Sequence, residues 1–214
     1  MTATRGGIYI PPHKLREEQA ALLATKTAKD EQVQRIHWEA LRKSVNGLVN
    51  KVNTDNIKHI LPELFGENII RGRGLLVKSI MKAQMTSPTF TSVYAALVAV
   101  LNTKMPEIGE LVCKRLLMQF KKAFKRSDKL ICLATSKLIA HLTNQSVLHE
   151  LVALQLLTLL LEKPIDDSVE LAVEFVKEVG ACLNQITPLG MRGIFDRLRS
   201  ILNEGESIGL RVSV

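Results

Sequence analysis

Apolar residues recur at steps of three and four along most of the chain, and this helical spacing constrains the fold more than any other feature. No segment alternates apolar and polar residues for long, so strands are not expected. Pro88, Pro106 and Pro188 suit the first turns of helices. The spacing predicts a helical stretch over 15–29, Asp30 as the N-cap of the next helix, and helices over 31–52, 54–65, 69–85, 89–103, 107–125, 128–144, 147–162, 167–184 and 188–203.

The predicted helices fall in pairs whose starts lie about 38 residues apart, close to the period of HEAT-type repeats. In such repeats each pair buries its apolar face against the next pair. The pairs do not repeat residue by residue, so an irregular helical bundle is the structural alternative. We expect an all-α fold of HEAT-like stacked antiparallel helix pairs, an α–α superhelix of about ten helices. It should occupy residues 15–203, after an extended, flexible segment 1–14 and before a tail 204–214.

The formal net charge of +8 is compatible with either nucleic acid or an acidic protein as partner. Aromatic residues make up only 4% of the chain, and exposed aromatics do not alternate with basic residues as they do in single-strand binders. The basic residues at 121–126 either solvate the end of a helix or form a patch for phosphate or an acidic surface. Two groups of basic residues are therefore candidates for weak RNA or anion binding: Arg71 and Arg73 beside a glycine turn, and Lys121, Lys122, Lys125 and Arg126.

The glycine turn at 71–74 loosely resembles a phosphate-binding loop, but no glycine stands directly before its lysine. We interpret it as a connecting turn whose glycines adopt special φ values. Histidines and cysteines stand at no metal-ligand spacing, and no nucleophile motif occurs. We expect no enzyme, metal, cofactor or small-molecule substrate. The apolar run 151–161 is too short to span a membrane, and three scattered cysteines without a signal peptide favour a reduced compartment.

Gly47 lies within a helical stretch, on the side away from its apolar stripe. The stripe consists of Trp38, Leu41, Val45, Leu48 and Val52. Gly47, Asn50 and Lys51, at i, i+3 and i+4, share a face that points roughly 150° away. Such a glycine costs about 1 kcal/mol relative to alanine. We interpret the gap as a place where a protein partner approaches the helix backbone. The alternative is a tolerated surface glycine between solvated polar residues.

Six blocks of sequence carry a resemblance to a known family: 7–12, 38–41, 46–53, 67–75, 93–99 and 166–170. Together they make residues 6–203 resemble the middle domain of the initiation factor 4G type, as found in the spliceosomal splicing factors of the nucampholin family. The resemblance implies the helical-repeat fold. It also implies that the chain is a fragment, because relatives carry a second helical domain downstream.

The resemblance further implies a function. Proteins of this family bind the DEAD-box ATPase of the exon-junction complex, a helicase of the initiation factor 4A type. They hold its two RecA-like lobes apart in an open, inactive state and bring it to the spliceosome. The family's Gly-x-x-Asn-Lys element is matched by Gly47, Asn50 and Lys51, and the further candidates on the same rim are Asn53, Thr54 and Lys43.

This reading implies other spliceosome components as partners and a nuclear location in the spliceosome and nuclear speckles. Two alternatives stay open. One is an RNA-binding helical-repeat domain that contacts RNA through its basic surface. The other is a related translation or nonsense-mediated-decay scaffold that binds a paralogous helicase.

Overall fold

A computed structural model describes the backbone of residues 12–208 and the side chains of residues 30–204. The chain divides into two compact units, Met1–Ser44 and Val45–Val214. One helix, α1 (Pro12–Lys51), contains the boundary between them. The domain limits predicted above stay a prediction, although residues 12–14 are helical rather than extended. Residues 1–11 of the predicted N-terminal segment lie outside the described part of the chain.

The predicted break at Asp30 is wrong, because α1 runs through it without interruption. Aspartate is a common N-cap, but inside a helix it costs less than about 1 kcal/mol relative to alanine. Residues 13–46 contain no proline or glycine that would force a break.

In the first unit, Glu39 and Arg42 form an exposed ion pair at 3.4 Å, one turn apart. Trp38, which we assigned to the apolar stripe, is 38% exposed.

The second unit is built from helices and connecting turns only, over its described residues 45–208. The predicted all-α class is confirmed. After the last turns of α1, the helices are α2 (Ile57–Gly66), α3 (Arg73–Thr86), α4 (Thr91–Lys104), α5 (Pro106–Lys125), α6 (Lys129–Asn144), α7 (Glu150–Glu162), α8 (Asp166–Ile186) and α9 (Pro188–Ile208). A 3₁₀ turn, Pro88–Phe90, precedes α4.

The helices of the second unit stack in two rows, as the predicted pairing requires. Each helix from α3 onward packs against the next, and α2, α4, α6 and α8 also contact one another in sequence along one row. Fully buried side chains fill this row, with Leu101 on α4, Leu142 on α6 and Val179 on α8 all inaccessible to solvent. Burying each such side chain contributes about 1.5–3 kcal/mol. This row is the core against which α3, α5, α7 and α9 pack.

Two helix ends show why the bounds fall where they do. Pro106 and Pro188 are the first residues of α5 and α9, where a missing N–H costs no hydrogen bond. At the other end of the chain, α9 continues to Ile208, so the predicted tail begins as helix and residues 209–214 lie outside the described part.

Candidate partner-binding site

Gly47 occupies the open side of α1. A β-carbon built on it would meet no atom within 4 Å. On the opposite side of the same helix, Val45 and Val49 are fully buried, and Val52, directly after the helix, is 5% exposed. Val49 was missing from the predicted apolar stripe, but Gly47 does lie on the side of the helix away from the buried residues, as predicted. The second unit therefore does not need a glycine at position 47 for its own packing.

Asn50 and Lys51 are exposed and follow Gly47 by three and four residues. Residues at these spacings are neighbours on a helix surface, about 5–6 Å apart between β-carbons. Lys51 lies in the last turn of α1, where an ammonium favours the negative end of the helix dipole. Neither side chain has a hydrogen-bond or ion-pair partner among residues 30–204. The face therefore combines the open space at Gly47, the amide of Asn50, which can donate and accept hydrogen bonds, and the positive charge of Lys51.

The side-chain oxygen of Asn53 is occupied by the turn that ends α1, and contact of this residue with a partner stays a prediction. Asn53 Oδ1 accepts from the backbone N–H groups of Asp55 at 3.0 Å and Asn56 at 2.8 Å. In return, Asn56 Oδ1 accepts from the N–H of Asn53 at 2.8 Å, and Asn56 Nδ2 donates to the carbonyl oxygen of Lys51 at 2.6 Å. These bonds fix the turn that ends α1. Asn53 thus supports the face formed by Gly47, Asn50 and Lys51.

The remaining candidates of this group are exposed. Thr54 lies in the turn, where its hydroxyl donates to Asp55 Oδ1 at 3.4 Å. Lys43 belongs to the first unit, immediately before the boundary. Asn50 and Lys51 thus share a helix face with Gly47 in the second unit, whereas Thr54 lies in the turn that follows.

The glycine turn at 71–74 is tied to α5. Gly72 precedes α3 with φ −85°, so the special φ value that we expected there is wrong. The turn is held instead by Arg115 of α5, whose Nη1 donates to the carbonyl oxygen of Gly74 at 2.8 Å. Arg71 is exposed, and Arg73 pairs with Glu107 at 3.5 Å at the surface.

The two groups of basic residues do not form one patch. Arg73 meets Glu107 in the first turn of α5, whereas Lys122 and Lys125 lie in its last turn. The 20 residues of α5 separate these ends by roughly 30 Å. All four cations of the second group are exposed: Lys121, Lys122, Lys125 and Arg126.

A charged cluster near that second group was not predicted. Lys129 Nζ lies 2.9 Å from Asp167 Oδ1 and 2.6 Å from Glu170 Oε2, which joins the start of α6 to the start of α8. Hydrogen bonds to Glu170 and then Asp167 raise the pKa of Lys129 above its ordinary value. Asp166 and Asp167 lie in the first turn of α8, and Ile165 is its N-cap residue.

Among the described residues, His, Cys, Asp and Glu side chains form no group of three or more that would hold a metal ion. No helix in that part of the chain combines the length and the apolar character needed to cross a membrane.

A stack of helix pairs defines the class of protein: an α-helical repeat domain. The MIF4G domain family matches residues 42–211, which include the whole candidate site in the second unit. The chain belongs to this family.

Comparison with curated proteins gives close relatives. The chain is 56% identical over 201 residues to the pre-mRNA-splicing factor CWC22 homolog of Homo sapiens, covering 94% of the chain and 22% of that protein. It is also 56% identical over 200 residues to the pre-mRNA-splicing factor cwc22 of Neurospora crassa, covering 94% of the chain and 20% of that protein. The chain spans about a fifth of the length of these relatives.

Proposed function

We propose that this chain is the scaffold domain of a pre-mRNA splicing factor and acts in the nucleus, in the spliceosome and nuclear speckles. It binds a DEAD-box ATPase of the initiation factor 4A type, the helicase of the exon-junction complex. It holds the two lobes of that helicase apart and recruits the inactive helicase to the spliceosome. In this function it is a binding protein without catalysis of its own.

The observation that carries the proposal is the open space at Gly47. A helical glycine costs about 1 kcal/mol relative to alanine, and no contact within the second unit offsets this cost. A partner that packs against the backbone at Gly47 would explain the residue, since any β-carbon would stand in its way. Asn50 and Lys51 then supply hydrogen bonds and charge to the same partner. Membership of the MIF4G family and the splicing-factor relatives support this partner class.

The test is binding of the purified helicase, together with its RNA-stimulated ATPase activity. The unsubstituted chain should bind and suppress ATP hydrolysis, because separated lobes cannot form the closed ATPase site. Gly47→Leu should weaken binding by at least about tenfold, as expected for a steric clash at an interface centre. Leucine is a better helix former than glycine by about 0.8 kcal/mol, so this variant should fold at least as well.

Gly193→Leu is the matched control. Gly193 also lies in a helix, and a β-carbon there would also meet no atom within 4 Å. This variant should bind and inhibit as the unsubstituted chain does. If the Gly47 and Gly193 variants bind equally well, the assignment of the binding site to Gly47 is wrong. If the chain binds the helicase without inhibiting its ATPase activity, the proposal that it holds the lobes apart is wrong.

A panel of paralogous helicases separates splicing from translation or nonsense-mediated decay. Preference for the exon-junction helicase supports the proposal, whereas preference for a translation paralogue contradicts it. Direct RNA binding makes a different prediction, namely affinity without a helicase and a steep decrease of that affinity with salt.

A further inference from the structure

A cleft of about 510 Å³ opens in the second unit, where the ends of α5 and α7 meet the starts of α6 and α8. Its volume is within the range of about 300–1,000 Å³ that is usual for ligand sites. Phe124, Cys132, Leu159, Ile165 and Leu171 form the apolar part of its lining. None of the residues that line the cleft belongs to the face formed by Gly47, Asn50 and Lys51.

Ile165 is placed against the ordinary rules of helix capping. It stands at the N-cap of α8, where Ser, Thr, Asn and Asp are preferred because their oxygens accept from free N–H groups. Its side chain is 63% exposed, so it adds little to the core. Leu159, in the last turns of α7, is 45% exposed in the same cleft. Two large apolar side chains at the mouth of a cleft indicate an apolar ligand group.

The charge around the mouth is unequal. Asp167 and Glu170 share the single cation Lys129, with which both form ion pairs, so the α8 side keeps one negative charge. On the α5 side, the cations at the end of that helix are exposed, and none has an ion-pair partner among residues 30–204. Lys125 and Arg126 lie in sequence between Phe124 and Ser127, which both line the cleft. A ligand with carboxylates on this side would therefore meet unpaired positive charge.

We propose that this cleft binds an acidic peptide segment of another protein. Large apolar side chains of that segment pack against Leu159 and Ile165, and its carboxylates face Lys125 and Arg126. RNA fits the cleft less well. Its lining is mainly apolar, the acidic Glu162 and Asp167 stand on the α7–α8 side, and the one aromatic ring in the lining, Phe124, is already stacked on Phe120 at 5.9 Å.

The probe is a set of short fluorescent peptides, each with a block of glutamates next to two leucines whose spacing varies. Binding is measured by anisotropy against the whole chain. At least one spacing should bind, and replacing its leucines by serines or its glutamates by lysines should weaken binding by about tenfold or more. An oligouridine RNA should not displace the bound peptide.

Ile165→Asp is the diagnostic variant, because aspartate is a preferred N-cap and should keep α8 folded while placing a repelling charge in the cleft. It should lower peptide affinity by about tenfold or more. Leu151→Asp is the matched control. Leu151 is 55% exposed in the first turn of α7, roughly 12 Å along the helix from Leu159. It should leave affinity unchanged.

Four outcomes would overturn the proposal. The first is that no spacing of the acidic peptide binds at low salt. The second is that the serine peptide binds as tightly as the leucine peptide, and the third is that Leu151→Asp weakens binding as much as Ile165→Asp. The fourth is that oligouridine competes for the cleft, which would assign it to nucleic acid. Lys125→Glu with Arg126→Glu should reduce both the affinity and its salt dependence.

Discussion

Asn53 and Asn56 each accept a hydrogen bond from the backbone N–H of the other, both at 2.8 Å. This reciprocal pair closes the turn between α1 and α2, directly after the residues that we assign to the partner. Only the side-chain oxygen of Asn53 takes part in the described bonds. Substitutions of Asn53 can therefore distinguish two roles of this residue, namely support of the turn through its oxygen and contact with the helicase through its amide nitrogen.

We expect Asn53→Ala to lower the free energy of unfolding by about 1–2 kcal/mol, since two N–H groups lose their acceptor. Asn53→Asp keeps an oxygen in place and should retain most of the stability. Helicase affinity should follow the same order. Chemical denaturation and titration calorimetry measure the two quantities. If Asn53→Asp stays stable but loses the helicase, the amide itself contacts the partner and the supporting role is wrong.

Glycine-to-alanine substitutions at two helical positions should differ in sign. At Gly47 the new methyl group meets open space, so Gly47→Ala should raise the free energy of unfolding by about 1 kcal/mol. At the buried Gly109 of α5, a β-carbon would stand 2.7 Å from Cγ and 3.0 Å from Cβ of Asn102 on α4. Gly109→Ala should therefore give no gain and lower stability by about 1–2 kcal/mol. Urea denaturation of the pair checks this, and equal gains would contradict the described packing of α4 on α5.

Helical periodicity revealed the fold class and the pairing of helices, because buried residues such as Leu101 and Leu142 recur at the spacing of a helix face. It also placed Gly47 correctly, since the opposition between a glycine and a stripe is a property of one helix. The prediction of a helix start at Asp30 was wrong, because a residue that favours the N-cap is only weak evidence for a helix start within a sequence of good helix formers.

Contacts between distant residues were beyond the reach of the sequence. Arg115 bonds to Gly74 across 41 residues, and Lys129 pairs with residues of α8. The cleft that contains Ile165 depends on four helix ends that meet only in the folded stack. The one local signal for it was an isoleucine at a helix start, next to the two aspartates of the first turn of α8.

Gln84 joins three elements of the second unit and should be sensitive to substitution. It is buried, and its Nε2 donates to Thr91 Oγ1 at 3.1 Å and to the carbonyl oxygen of Ala134 on α6 at 2.9 Å. Gln84→Ala loses these bonds and leaves a cavity, so we expect the free energy of unfolding to fall by about 2–4 kcal/mol. Gln84→Glu should also destabilise, because it buries a charge. Wild-type stability in both variants would contradict the described network.

His141 makes the stability of the second unit depend on pH. Burial lowers the pKa of His141, and Lys137 adds to this effect, while Glu178, 3.2 Å away, opposes it. The unfolded chain therefore takes up the proton first as pH falls below about 6.5, the ordinary value for histidine. The free energy of unfolding should decrease from there down to the lowered pKa of the folded state, and then level off.

The measurement compares the unsubstituted chain with His141→Gln, which keeps a donor for Glu178 but does not titrate. Between pH 7.5 and 5.5 the unsubstituted chain should lose more stability than the variant, since the other titrating groups are common to both. Parallel curves would show that His141 has the same pKa in both states. A smaller loss in the unsubstituted chain would show that the ion pair with Glu178 outweighs burial.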